Sequence, residues 1–132
     1  MKKDDIATLI NYRLEQAQTA LADARFLADG NRSPQSIVNR SYYAMFYATL
    51  ALLQNIGKVP SKHAGVISLF DTEFVGKDIF PKGLSKSFHK AFEMRQIADY
   101  KIIESVSTEK ARESLARASS FVEAVEKYLR NL

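Results

Sequence analysis

Residues 33–57, SPQSIVNRSYYAMFYATLALLQNIG, decide the fold. Ser33 followed by Pro34 is a helix start. The hydroxyl can accept an orphan backbone N–H, and proline at the first helical position gives up a donor that has no partner there. Gly57 is the next helix-ending signal, so the spacing predicts a helix from Pro34 to about Asn55. Val38, Tyr42, Met45, Thr49, Leu52 and Ile56 fall on one stripe, and Tyr43, Phe46, Leu50 and Leu53 on another. A helix that is apolar nearly all round is a central one, covered by other helices or by a second subunit.

The flanking segments supply the cover. Upstream, Asp4 to Asp29 carries Ala7, Ile10, Leu14, Ala17, Leu21, Ala24 and Ala28 at steps of three and four, with Gly30 as the expected stop. Downstream, Lys62 to Val75 predicts a third helix ended by Gly76, and Pro81 opens a fourth that runs to about Tyr100. Ser107 or Thr108 caps a fifth, whose Ala111, Leu115, Ala118, Val122, Val125, Leu129 and Leu132 repeat four-three. Period-two alternation is missing over any useful length. The prediction is an all-α, up-and-down bundle of about five helices, formed by residues 1–132 as one domain.

Composition narrows the function classes. The chain has 132 residues, 46% of them hydrophobic, which is enough for one core without a disulfide or metal staple. With no cysteine, thiol catalysis and thiolate metal sites are excluded, and a reducing, cytoplasmic setting is expected. The N-terminal residues are charged and no run of 18 apolar residues occurs, so a soluble protein with no membrane partner is expected. Net charge is +4. Six lysines between Lys58 and Lys90 face only Asp71, Glu73 and Asp78, so that segment holds +3 of the total. A mildly basic end can meet nucleic acid or an acidic partner, and a solvated lysine face explains it equally well.

The residue inventory assigns no catalytic group outright. The five glycines lie singly, so there is no phosphate loop. His63 and His89 lack further ligands at helical metal spacing, and neither a metal nor a cofactor is expected. Both histidines read as surface or helix-terminal residues, with His89 placed to join a basic stripe of Lys82, Lys86 and Lys90.

Two motifs resist a purely structural reading. The first is Asn39-Arg40-Ser41-Tyr42-Tyr43-Ala44-Met45-Phe46-Tyr47, where three tyrosine hydroxyls need partners. Asn39 and Arg40 could supply them, or could face a cleft. In the second, the apolar face of the fourth helix, Leu84, Phe88 and Phe92, continues into Arg95 and Asp99. A charged pair where a core residue is due is costly unless paired. The cation-first order is also the weaker one for simple helix support. A cleft or dimer seam lined by Arg95, Asp99 and Tyr100 accounts for it better.

These motifs, taken with Lys62-His63-Ala64-Gly65-Val66-Ile67 and Arg95-Gln96-Ile97-Ala98-Asp99-Tyr100, resemble the HEPN domain family. The likeness is closest to its small stand-alone prokaryotic branch, the UPF0332 group, and extends over nearly the whole chain. It implies a helical bundle that commonly dimerises and is often encoded with a minimal nucleotidyltransferase as a toxin–antitoxin pair. Many such relatives are metal-independent ribonucleases, with an Arg followed after four to six residues by His at a dimer cleft. Here Arg95 matches the Arg, but after four residues Tyr100 stands in the place of His, and neither His63 nor His89 has an Arg at the required distance.

The chemical consequence is large. His has an unperturbed pKa of about 6.5 and Tyr one of about 10, so the phenol would need a shift of about three units to exchange protons near neutrality. Loss of general acid–base help costs about 10²–10⁴-fold. The expectation is therefore a non-catalytic or catalytically impaired binding and partner module. Its ligand or dimer cleft is formed by Asn39, Arg40, Tyr43, Arg95, Asp99 and Tyr100. Its partners are a second copy, a minimal nucleotidyltransferase, and the phosphate of a nucleotide or RNA. The alternative is a ribonuclease toxin using Arg95 with Tyr100, Asp99 or Ser41. In a third, purely structural reading, the polar motif only sets a dimer's register.

Overall fold

The computed structural model describes residues 2–100 and 106–132. Its order is α1 (Lys3–Asp29), α2 (Pro34–Asn55), α3 (His63–Phe70), a π-helical turn (Asp71–Val75), α4 (Lys82–Tyr100) and α5 (Thr108–Arg130). The described residues contain no strand, and none of their helices is long and apolar enough to cross a membrane. The all-α prediction holds, with five helices.

Helix α2 begins and ends where its signals stand. The Ser33 hydroxyl accepts from the Ser36 amide, and Pro34 occupies the first helical position. At the other end Gly57 adopts φ +74°, the Lys58 amide donates to the Leu53 carbonyl at 2.9 Å, and the Gly57 amide donates to Gln54 at 3.1 Å. That pair of bonds closes a helix through a left-handed residue, which glycine tolerates without a Cβ penalty. Helix α2 packs against α1, α3, α4 and α5, as its all-round apolarity demands, and α1–α2 is the most extensive pair. Alanines dominate both partners (Ala17, Ala20, Ala24; Ala44, Ala48, Ala51), all fully buried, and small side chains permit a close helix approach.

Helix α1 closes one residue later than expected. Gly30 has φ −85°, and Asn31 takes the left-handed position at φ 53°. Arg32 donates to Leu27 and Asn31 to Ala28, the same closing pattern as in α2, and Arg112 of α5 reaches back to the Ala28 carbonyl. Asparagine accepts this conformation because its short amide bonds locally; here its Oδ1 also accepts from Arg112.

The predicted third helix, Lys62–Val75, is split. Its last turn is widened, with the Gly76 amide donating to the Asp71 carbonyl. Asp71 is pinned to α4, accepting from Ser85 Oγ at 2.6 Å and bonding His89 Nε2 at 2.6 Å. Phe70 and Phe74 both stay buried across the wide turn. A Cβ on Gly76 would stand 3.0 Å from the Thr72 carbonyl oxygen, so the exit from the turn favours glycine.

An aromatic core joins the elements. Phe88 of α4 meets Phe121 of α5 at 5.2 Å, Phe70 at 5.7 Å and Tyr42 of α2 at 6.1 Å between ring centroids. Burying each such ring contributes about 1.5–3 kcal/mol. A second apolar cluster (Ala24, Ile37, Val38, Met94, Val106, Ala111) fixes the first turns of α2 beside the last turns of α4. This arrangement places the two polar motifs side by side.

Candidate phosphate site on a tyrosine platform

Helix α4 brings Arg95 against α2 with its side chain only 12% exposed. Its guanidinium carbon lies 5.4 Å from the ring centroids of both Tyr42 and Tyr43, and 5.9 Å from that of Tyr100. Arg40 covers Tyr43 as well, at 5.1 Å. Guanidinium over a tyrosine face is attractive, the more so as water is excluded.

One carboxylate pairs with Arg95 and reaches Arg40 only through Asn39. Arg95 Nε donates to Asp99 Oδ2 at 3.1 Å, and Asn39 Nδ2 donates to the same oxygen at 3.2 Å. Asn39 Oδ1 in turn accepts from Arg40 Nε and Nη2 at 3.1 and 2.9 Å. The chain Arg40–Asn39–Asp99–Arg95 thus carries two positive charges against one negative. The outer N–H edge of Arg95 makes a long 3.4 Å bond from Nη2 to the Tyr100 hydroxyl, and the guanidinium also interacts with the Tyr42 hydroxyl. A guanidinium held among tyrosines beside a second arginine suits a phosphate. All six predicted cleft residues therefore come together: Asn39, Arg40, Tyr43, Arg95, Asp99 and Tyr100.

As for the two alternatives open to Asn39 and Arg40, neither residue bonds the buried Tyr42 hydroxyl. Arg40 and Asn39 bond each other, and the buried Tyr42 hydroxyl meets His63 Nδ1 at 2.7 Å. His63 is helix-terminal, the first residue of α3, and half-buried: its ring stacks on Phe46 at 4.4 Å and on Tyr42 at 5.7 Å, with its edge toward Tyr43 at 5.9 Å. Burial and the nearby Arg95 charge hold its pKa below the usual histidine value. Burial pushes the Tyr42 phenol well above its ordinary value, against the pull of Arg95. The spacing of the sequence could not reveal His63, because Tyr42 and Arg95 lie 21 and 32 residues away. Ser41, the other fallback catalytic group, is fully buried and its hydroxyl has no partner among the described residues, so it cannot meet a substrate.

Beside this platform an open cleft of about 520 Å³ lies between α1, α2 and α4. Asp23 and Asp99 face Arg40 there, and Phe26, 80% exposed, stands at its wall. Two carboxylates against one guanidinium disfavour an anion, so the phosphate-compatible surface is the Arg95–Tyr43–Arg40 face, not the cleft.

The predicted stripe of Lys82, Lys86 and Lys90 is exposed along α4. His89 does not join it, because Asp71 holds its ring. Arg117 of α5 does, lining a shallow groove of about 280 Å³ with Lys86, Ser87 and Lys90. At 100° per residue Lys86 and Arg95 lie on opposite sides of α4. Among the described residues no three His, Asp or Glu side chains are grouped to hold a metal.

The family model of the HEPN domain matches residues 10–128. The chain belongs to the HEPN family. This HEPN chain is 36% identical to a UPF0332 protein of Thermotoga maritima, over 94% of its own length and 93% of that relative. It is 31% identical to a Methanocaldococcus jannaschii protein named "Putative toxin", covering 97% and 94% of the two chains. A second protein of that organism with the same description is 35% identical, over 70% of this HEPN chain and 63% of the relative.

Proposed function

We propose that this HEPN chain is a non-catalytic or catalytically impaired binding and partner module. Its Arg95–Tyr43–Arg40 face takes a phosphate of a nucleotide or RNA. The observation that carries the reading is the state of the groups around Arg95. In place of the family's histidine stands Tyr100, a phenol 70% exposed and 3.4 Å from the guanidinium. Among the described residues the carboxylate bonded to Arg95 is Asp99, which is committed to Arg95 and Asn39. Neither is the histidine of the family's ribonucleases, whereas Arg95 offers the planar N–H donors that a phosphate takes. A second copy of the chain and a minimal nucleotidyltransferase, in the cytoplasm, complete the reading as its partners, and no cofactor is required.

The names of the Methanocaldococcus jannaschii relatives favour a second reading as a toxin, which on the family resemblance is a metal-independent ribonuclease in which Arg95 works with Tyr100 or Asp99. End-labelled structured RNA, incubated with purified protein in EDTA, separates the two. The binding module leaves the RNA intact at high protein concentration. Cleavage by the wild type that is lost in Arg95→Ala makes the protein a ribonuclease.

A further inference from the structure

We infer that His63 is a ligand-contacting residue of the Arg95 site, its Nδ1 fixed by Tyr42 and its Nε2–H left to donate to a phosphodiester oxygen held by Arg95. The inference deepens the proposed phosphate reading and rests on it.

The geometry comes from the two tyrosine rings. Tyr42 and Tyr43 each touch both cation-forming groups: Arg95 at 5.4 Å from either centroid, His63 at 5.7 and 5.9 Å. Arg95 and His63 therefore border the same two rings, although they come from different helices. Stacking on Phe46 at 4.4 Å fixes the imidazole plane, and the Tyr42 bond fixes its rotation. A side chain clamped in this way gives up little further entropy on binding a ligand.

Proton accounting assigns the hydrogen to one nitrogen. Tyr42 is 0% exposed, so its phenolic proton cannot go to water. Among the described residues the acceptor for it is His63 Nδ1, at 2.7 Å. The Arg95 charge near the phenol draws the oxygen toward itself and turns the O–H away, in the same sense. Nδ1 thus accepts, and the neutral ring holds its proton on Nε2, for which no partner is found among the described residues. An imidazole in that state donates a hydrogen bond and does not act as a base through Nε2. It strengthens anion binding without restoring the missing acid–base group.

The test uses fluorescein-labelled 2′-O-methyl hexauridylate, which has phosphodiesters but no 2′-hydroxyl to cleave, read by anisotropy with the full chain. Saturable binding is expected, lost in Arg95→Ala. His63→Phe keeps the stack on Phe46 and weakens binding about tenfold, the loss of one hydrogen bond to a charged group. His63→Gln, with an amide N–H near the Nε2 position, stays within about threefold of wild type. Binding lost in Arg95→Ala but unchanged in His63→Phe overturns this inference and leaves the phosphate reading standing. Absence of wild-type binding, or no effect of Arg95→Ala, overturns that reading and the inference with it. Independently of any ligand, a ¹⁵N correlation spectrum at pH 8 should find the His63 proton on Nε2. A proton on Nδ1 contradicts the inference.

Discussion

Two cationic surfaces lie on opposite sides of the same helix, and they differ in how their charge is held. Arg95 is packed over Tyr42 and Tyr43, and Asp99 fixes its Nε. Lys82, Lys86 and Lys90 are exposed and form no ion pair among the described residues. The first is an oriented donor on a dry platform. The second is a set of solvated charges, each free to follow any anion. Charge of the same sign therefore has unequal value: orientation and partial burial give specificity, whereas exposed ammonium groups give a diffuse, salt-sensitive attraction.

The comparison can be broken first through stability. Arg95→Ala removes three cation–ring contacts and an ion pair at a half-buried position, and should lower the unfolding free energy by about 2 kcal/mol in urea titrations. Lys90→Ala on the other face should stay within about 0.5 kcal/mol. Equal effects would mean that Arg95 is no better held than a surface lysine. Next in size is Tyr42→Phe, which keeps the ring and removes the bond to His63; a loss of about 1 kcal/mol is expected by the same titration.

A smaller effect sharpens the role of His63, which faces Tyr42 and Tyr43 of α2 and Arg95 of α4. Its pKa in the folded chain lies below the ordinary value of about 6.5, through burial and then the Arg95 charge. The unfolded chain therefore binds the proton more readily. Stability should fall as pH drops from about 6.5 toward the depressed folded value, and level off below it. His63→Phe should remove that component from a pH series of thermal melts, and Arg95→Ala should reduce it. A series unaltered by either variant would detach His63 from the Arg95 field.

Much of this was legible in the sequence, for identifiable reasons. The bounds of α2 follow from Ser33-Pro34 and Gly57, whose chemistry is local. Arg95 and Asp99 stood out because they interrupt the apolar face begun by Leu84, Phe88 and Phe92. What was hidden depends on partners distant in sequence. The π-helical turn is held by Asp71 on Ser85 and His89 of another helix, which also takes His89 out of the lysine stripe. Asn31, not Gly30, closes α1, with its amide bound by Arg112 of α5. His63 joins the site only because α3 returns across Tyr42.

The most direct test sets the two faces against each other with one ligand. Binding of the 2′-O-methyl hexauridylate would be measured for wild type, Arg95→Ala and the double variant Lys86→Ala/Lys90→Ala, at two salt concentrations. The account predicts that Arg95→Ala abolishes saturable binding. The lysine variant should weaken it only about threefold, by a margin that shrinks as salt rises. Binding that survives Arg95→Ala and disappears with the lysines would put the phosphate site on the other side of α4 and contradict the account.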